Sequence, residues 1–214
     1  MSETIPLKQA EATTSNDRPN HKKVGMMMTM MSTFGLGVAY ACSGSSAVLD
    51  KKIDTIKSLD LQWFYLGLVV LGKTIMFINF APMGYKNSLK GNMRSNPFFY
   101  EAVTPNGQKK VEAPLIAYKE DGPLGKYNRS NRSVQNMVEG AGGFFAALGP
   151  VGFLFPKATL GAISAFSIGR IVHQKLYARG YGPHALGFMF AMLSMQTIDG
   201  LALVAFLKAQ GYIW

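Results

Sequence analysis

The chain has 214 residues, of which 48% are hydrophobic and only 16% are charged. Long apolar runs account for this low charge, and such a composition argues against an ordinary soluble domain. The single cysteine, Cys42, excludes an internal disulfide framework.

The net charge of +10 would fit a nucleic-acid-binding protein, but the distribution of the basic residues favours a membrane topology. With five spans, fifteen of the 22 lysines and arginines fall on the side of the N-terminus and five on the opposite side. Basic residues concentrate on the cytosolic side of membrane proteins. We therefore expect a cytosolic N-terminus and no nucleic-acid partner.

Five apolar runs approach the ~20 residues that a helix needs to cross a bilayer. They are residues 24–49, 61–83, 134–155, 158–176 and 186–207. The sequence therefore predicts an all-α, multi-pass membrane helical bundle in contact with lipid. Residues 1–23 are polar and are predicted to form a disordered cytosolic N-terminus.

The first run is either a retained extra N-terminal membrane helix, residues 24–49, or a signal peptide. Acidic residues before it, Glu3, Glu11 and Asp17, favour the retained helix. A cytosolic loop is predicted over residues 84–126. Its alternation of Val111, Ala113 and Leu115 is too short to assign as a strand.

Two sets of ionisable residues recur at helical spacing within the apolar runs. Arg170, His173 and Tyr177 lie three and four residues apart, which places them on one face of a helix. An upstream set repeats this spacing: Arg129, Arg132, Asn136 and Glu139. An arginine at mid-membrane costs about 3 kcal/mol on insertion scales, so we expect both stripes to face a shared polar crevice. One carboxylate against three arginines and a histidine makes that crevice favourable to anions.

These two stripes resemble the signature of the MAPEG family, the membrane-associated proteins in eicosanoid and glutathione metabolism. The similarity covers residues 127–188 and points in particular to the microsomal glutathione S-transferases. It implies a four-helix membrane core over residues 60–210, assembled as a homotrimer in the endoplasmic reticulum or another organelle membrane such as the mitochondrial one. Glutathione would be the co-substrate, and lipophilic electrophiles or lipid hydroperoxides the second substrate.

The resemblance also implies roles for individual residues. Tyr177 and His184 are the candidate catalytic residues, and no spacing typical of a metal site is present. The glutathione-binding candidates are Arg129, Arg132, Asn136, Glu139, Arg170, His173 and Tyr177.

Two departures from the family pattern support a rival interpretation. Residues 140–143 read Gly-Ala-Gly-Gly where members usually have an aromatic residue and a proline, and His184 stands where many have an arginine. With the extra helix and the basic loop, these departures would suit a catalytically reduced accessory subunit of a larger membrane complex.

Smaller alternatives remain open at this stage. Arg170 and Glu139 could instead form a structural ion pair, and Lys73 with Asp199 could line the path of a small transporter. Two glycosylation sequons, at Asn128 and Asn131, are expected to stay unmodified in the cytosol.

Overall fold

The computed structural model describes residues 21–44, 46–86, 98–103, 115–180 and 182–213. The predicted disordered segment therefore lies outside the described residues up to position 20, whereas residues 21–23 are helical. The elements in chain order are α1 (His21–Ser43), α2 (Ala47–Ser58), α3 (Gln62–Lys86), β1 (Tyr100–Val103), β2 (Leu115–Tyr118), α4 (Gly122–Gly140), α5 (Gly142–Leu154), α6 (Pro156–Arg179) and α7 (Ala185–Ala209).

The helices form an all-α membrane bundle, as predicted. Three of the described helices are long and apolar enough to cross a bilayer, namely α1, α3 and α7. The bent pair of α4 and α5 gives a fourth span if it is counted as one. Helix α6 is also long enough to cross a bilayer, but it is less apolar than these helices because its buried face carries polar side chains.

Helix α6 is the centre of the bundle and packs against α3, α4, α5 and α7. The rings of Phe144 on α5 and Phe166 on α6 stack with centroids 4.6 Å apart, and both are almost fully buried. Ile78 of α3, Ile163 of α6 and Ile198 of α7 complete the centre of this core with no exposed surface. Helix α6 therefore contributes to the contacts of each of these helices with the core.

The first predicted span is too long, because the structure divides it into two helices. Helix α1 ends at Ser43, where the hydroxyl of Ser43 donates to the carbonyl of Tyr40. Gly44 has a positive φ of 53°, and Ser46 then caps α2 by accepting a hydrogen bond from the amide of Leu49 at 3.2 Å. Serine is a favoured N-cap because its oxygen satisfies an otherwise unpaired helical amide. Helix α2 is therefore a separate element, and none of its residues is buried.

The third predicted span begins too late and is not one straight helix. Helix α4 starts at Gly122, inside the segment predicted as loop, with Pro123 in its first turn. The chain then bends by 53° between α4 and α5 at Ala141. Glycines flank this bend at 140, 142 and 143, and glycine weakens a helix by about 1 kcal/mol relative to alanine.

The predicted loop also contains a small sheet that the sequence pattern did not reveal. Strands β1 and β2 pair antiparallel, with Tyr100 opposite Tyr118 and Glu101 opposite Ala117. Leu115 begins β2, whereas Val111 and Ala113 lie outside the described residues. Alternation within four residues is too little to identify a strand from sequence.

The stacked core predicts that Phe166 is essential for stability. Phe166→Ala should lower the free energy of unfolding by about 3 kcal/mol, because large-to-small changes in a packed core leave a cavity. Thermal unfolding in detergent measures the effect. Ile168→Ala on the same helix is the control, since Ile168 is 62% exposed. Equal losses from both variants would contradict the core assigned here.

Candidate functional site

The buried cation Arg170 joins α6 to α4. Its Nη1 donates to the Asn136 side-chain oxygen at 3.0 Å, and its Nη2 donates to the Ser133 carbonyl at 2.9 Å. Only 4% of Arg170 is exposed. Because a buried charge must have hydrogen-bond partners, these two bonds fix α4 against α6 in one register.

His173 and Gln174 extend the same contact toward the end of α6. The Ser133 hydroxyl lies 3.0 Å from His173 Nδ1. Gln174 Nε2 donates to the Ser130 hydroxyl at 2.7 Å and to the Ser130 carbonyl at 3.1 Å. Two serines of α4 therefore supply most of the hydrogen bonds that this part of α6 makes to α4.

Helices α6 and α7 meet backbone to backbone at Gly169 and Gly187. A Cβ at Gly169 would lie 2.7 Å from the Gly187 carbonyl oxygen, and a Cβ at Gly187 would lie 2.5 Å from the His173 amide nitrogen. Contacts this short leave no room for any side chain. This close approach places the first turns of α7 against the C-terminal half of α6, which carries the polar residues.

Three aromatic or imidazole rings converge where α6 and α7 meet. His173 stacks on Tyr177 with centroids 5.3 Å apart and planes within 15°. The His184 ring lies edge-on at 4.7 Å from Tyr177 and at 5.5 Å from His173. The amide of Gly182 donates to His184 Nδ1 at 3.2 Å, which helps to orient the imidazole.

These groups line a cavity of about 320 Å³, which we call the central recess. Its walls come from α4, α6, the turn before α7 and α7 itself. The lining residues are Arg132, Asn136, His173, Tyr177, His184, Ala185 and Phe188. Polar and cationic groups from separate helices thus face one small volume.

A second cavity of about 290 Å³, the inner recess, adjoins the central recess through Asn136 and Phe188. Arg170, Glu139 and several apolar residues line it, with three methionines among them: Met137, Met192 and Met195. It is more apolar than the central recess, and methionine side chains adapt to irregular apolar ligands.

A third cavity of about 360 Å³, the outer recess, adjoins the central recess through Arg132 and Tyr177. Its other lining residues are Phe98, Tyr118, Lys119, Glu120, Asn128 and Arg129. Lys119 Nζ forms a 2.5 Å salt bridge with Glu101, and this hydrogen bond raises the pKa of Lys119. The lysine therefore stays charged at neutral pH.

A line of exposed polar side chains follows α4 beside the recesses. Arg132 Nη1 donates to the Gln135 oxygen at 3.1 Å, and Gln135 Nε2 donates to Glu139 at 2.9 Å. Arg132 and Glu139 are both exposed. Gln135 thus holds the cation and the carboxylate at a fixed spacing along the helix.

Residues 65–207 match the family model described as MAPEG family. The chain belongs to the MAPEG family. Comparison with individual curated proteins and with solved structures found no match. As a MAPEG protein with candidate membrane spans, it is an integral membrane protein in glutathione and eicosanoid metabolism.

The structure of this MAPEG protein brings five of the eight predicted site residues into the central recess. They are Arg132, Asn136, His173, Tyr177 and His184. Glu139 and Arg170 line the inner recess, and Arg129 lines the outer one. Arg170 does not pair with Glu139 among the described groups, because its two bonds go to Asn136 and Ser133.

Residues of both ionisable stripes line the central recess, but the two stripes differ in burial. The α6 stripe is buried, but Arg132 and Glu139 on α4 are exposed, and the buried face of α4 is the neighbouring one. That face carries Ser130, Ser133 and Met137 at three- and four-residue spacing, which is the signal that could have identified the two serines. Gln174 was missed although it follows Arg170 by four residues.

Asn128 and Asn131 are buried side chains of α4. Both are 4% exposed, and Asn128 Nδ2 donates to the carbonyls of Phe99 and Lys119. A glycan on either residue would not fit within this fold.

The two intramembrane charges considered for a transporter do not meet. Lys73 Nζ donates to the Ser32 hydroxyl on α1 at 2.8 Å. Asp199 accepts a 3.4 Å bond from Gln196 on its own helix. Each has a local partner, which favours a role in helix packing.

The close approach of α6 and α7 predicts opposite effects for two glycines of one helix. Gly169→Ala should lower stability and displace His184 from Tyr177, because the added methyl meets backbone atoms of α7. Gly161→Ala is the matched control: nothing lies within 4 Å of its Cβ position, so it should gain about 1 kcal/mol of helix propensity.

Thermal unfolding and the histidine NMR signals of His184 measure the two effects. If Gly169→Ala were as stable as Gly161→Ala, the backbone contact would not hold the two helices together.

Proposed function

We propose that this MAPEG protein is a glutathione-dependent membrane transferase or peroxidase, similar to the microsomal glutathione S-transferases, that acts on lipophilic electrophiles or lipid hydroperoxides. The central recess is the observation that carries the proposal. It gathers Arg132, Asn136, His173, Tyr177 and His184 from three parts of the chain around one cavity. Cavities of this scale with a few convergent polar groups are typical ligand sites.

The donor and acceptor groups along α4 fit the charges of glutathione. Arg132 would bind a carboxylate, since its planar guanidinium can make two parallel hydrogen bonds. Glu139 would bind the amine, and Asn136 the peptide. Arg132 and Glu139 are seven residues apart, about 10 Å along a helix, which suits an extended peptide with charges at both ends.

Arg170 would act by positioning rather than by contact. Its two Nη groups are already bonded to Asn136 and Ser133, so it would hold the Asn136 amide toward the recess. His173 likewise has its Nδ1 beside Ser133. These bonds keep the recess walls rigid, which lowers the conformational cost of binding a ligand.

Bound glutathione would supply a thiolate, the nucleophile for transfer or peroxide reduction. Tyr177 is the proposed donor of a hydrogen bond to the sulfur. Its ring stacks on His173 and has His184 edge-on to it. His184 would contribute positive charge only when protonated, and a neutral imidazole would stabilise the thiolate less than the arginine of many family members.

The second substrate would enter from the bilayer and occupy the inner recess. Its apolar walls, including Phe188, Met192 and Met195, fit an acyl chain or another lipophilic group. A homotrimer in the endoplasmic reticulum membrane, with the recesses on the cytosolic side, completes the proposal. The basic residues of α4 and of the α6 terminus favour that orientation.

Glutathione binding tests the proposal directly. Purified protein in detergent should bind glutathione with a dissociation constant between micromolar and millimolar, measured by calorimetry. Arg132→Ala and Glu139→Gln should each weaken binding at least tenfold, since each removes a charge-assisted hydrogen bond worth about 1.5–3 kcal/mol. Lys126→Gln, on the same helix but outside the three recesses, is the control for surface charge.

Turnover separates binding residues from catalytic ones. Tyr177→Phe and His184→Ala should retain most of the glutathione affinity but lower the conjugation rate with a lipophilic electrophile. A folded wild-type protein that does not bind glutathione would exclude this enzyme proposal.

A second candidate function is a catalytically reduced accessory subunit of a larger membrane complex. Two observations favour it: the 53° bend at the glycine-rich segment, and an extra helix α1 that contacts α3 and leaves nearly all of its apolar surface exposed. Such a surface suits either lipid or a partner helix.

Blue-native electrophoresis of a mild detergent extract distinguishes the two functions. The enzyme should migrate as three copies of the 23.3 kDa chain with its bound detergent. The accessory subunit should instead co-migrate with a much larger complex. Deletion of α1 should release it from that complex.

A further inference from the structure

We propose that the outer recess binds a small planar aromatic carboxylate that arrives from the aqueous side of the membrane. This site shares Arg132 and Tyr177 with the central recess, but its other lining residues come from the segment around the small sheet and from the first half of α4. The proposal does not require that the protein bind glutathione. It rests on the charge, the aromatic wall and the rigidity of the recess.

The outer recess carries a net positive charge. Lys119, Arg129 and Arg132 line it, against one carboxylate, that of Glu120. The Arg129 guanidinium donates to the backbone carbonyls of Glu120 and Ala178. These bonds hold the guanidinium in place at the edge of the recess.

An aromatic wall faces these cations. The Tyr118 ring stacks on Tyr100 at 5.0 Å and 26° and contacts Phe98 edge-on at 5.1 Å and 65°. These two ring contacts restrict the orientation of Tyr118. Tyr177 contributes a further ring at the border with the central recess. Aromatic ligands gain stacking energy on such rings, whereas aliphatic ligands do not.

The recess is held in shape by one buried side chain. Asn128 accepts a hydrogen bond from the Phe99 amide at 2.9 Å and donates to the carbonyls of Phe99 and Lys119 at 2.7 and 2.9 Å. These bonds attach one end of the small sheet, where β1 begins and β2 ends, to α4. The cations and the rings therefore keep their relative positions before any ligand binds.

The combination of rings and cations distinguishes an aromatic carboxylate from a lipid phosphate. A lipid headgroup would use the positive charge but not the aromatic wall. Because Arg132 and Tyr177 line both recesses, the aromatic ligand would lie next to any ligand bound in the central recess.

The test measures binding of 2-naphthoate by ligand-observed NMR, with the protein in nanodiscs of zwitterionic lipid and empty nanodiscs as the blank. Two related ligands separate the contributions. 2-Naphthamide keeps the rings and lacks the charge, while decahydro-2-naphthoate keeps the charge and lacks the aromatic face. We expect both to bind at least about fivefold more weakly than 2-naphthoate.

Two substitutions that break the same salt bridge give the sharpest comparison. Lys119→Gln removes a cation and should weaken 2-naphthoate binding about fivefold. Glu101→Gln frees Lys119 from its competing carboxylate and should tighten binding severalfold. Lys126→Gln, outside the recess, should change nothing.

A purely structural role for the salt bridge predicts that both substitutions act in the same direction, and that result would overturn the proposal. Binding no stronger than to empty nanodiscs, or equal binding of 2-naphthamide, would also overturn it. Displacement of 2-naphthoate by an anionic lipid added to the nanodiscs, with no preference over decahydro-2-naphthoate, would assign the recess to lipid headgroups instead.

Discussion

The buried guanidinium of Arg170 is the constraint on which the rest of the structure depends. A charge removed from water must find hydrogen-bond partners, because leaving it unpaired costs several kcal/mol. Arg170 finds them only if α4 presents Asn136 and the Ser133 carbonyl to the same side of α6. This fixes the rotation and register of α4, and with them the positions of Arg132 on one edge of the helix and Ser130 on its buried face. The remaining polar residues of α6 then complete the contact.

The same constraint divides the polar residues of α4 and α6 into two kinds with different roles. Arg170, Ser133 and Gln174 hold helices together and have their hydrogen bonds inside the protein. Arg132 and Tyr177 border two recesses at once and face space that a ligand could fill. Spacing alone could not separate the two kinds, since both belong to stripes with the same helical period. Burial separates them, because it shows which hydrogen-bonding groups are already used.

The sequence predicted the helical membrane fold, because apolar length and helical spacing are local properties, and its resemblance to a known signature predicted the family. It did not predict features that depend on contacts between distant segments. The bend at Ala141 requires knowledge of how α5 packs against α7. The small sheet requires two four-residue strands to meet across a long gap. The Gly169–Gly187 contact requires two helices to approach, and Gly187 carries no signal of this in its own surroundings. Ser130 and Ser133 lie on one face of α4 that the helical spacing reveals, but the neighbouring stripe of Arg132, Asn136 and Glu139 is more strongly polar.

The three recesses follow one another along α4, and the inner one is the most apolar, which limits which ligands can occupy neighbouring positions. The outer recess is cationic and aromatic, the central recess is polar, and the inner recess is lined mainly by apolar side chains. A charged ligand would lose hydration in the inner recess, where Arg170 and Glu139 are the charged groups among mainly apolar side chains. A purely apolar ligand would gain little in the outer one. A reaction between a polar and an apolar substrate is therefore favoured at the border of the central and inner recesses, where Asn136 and Phe188 belong to both.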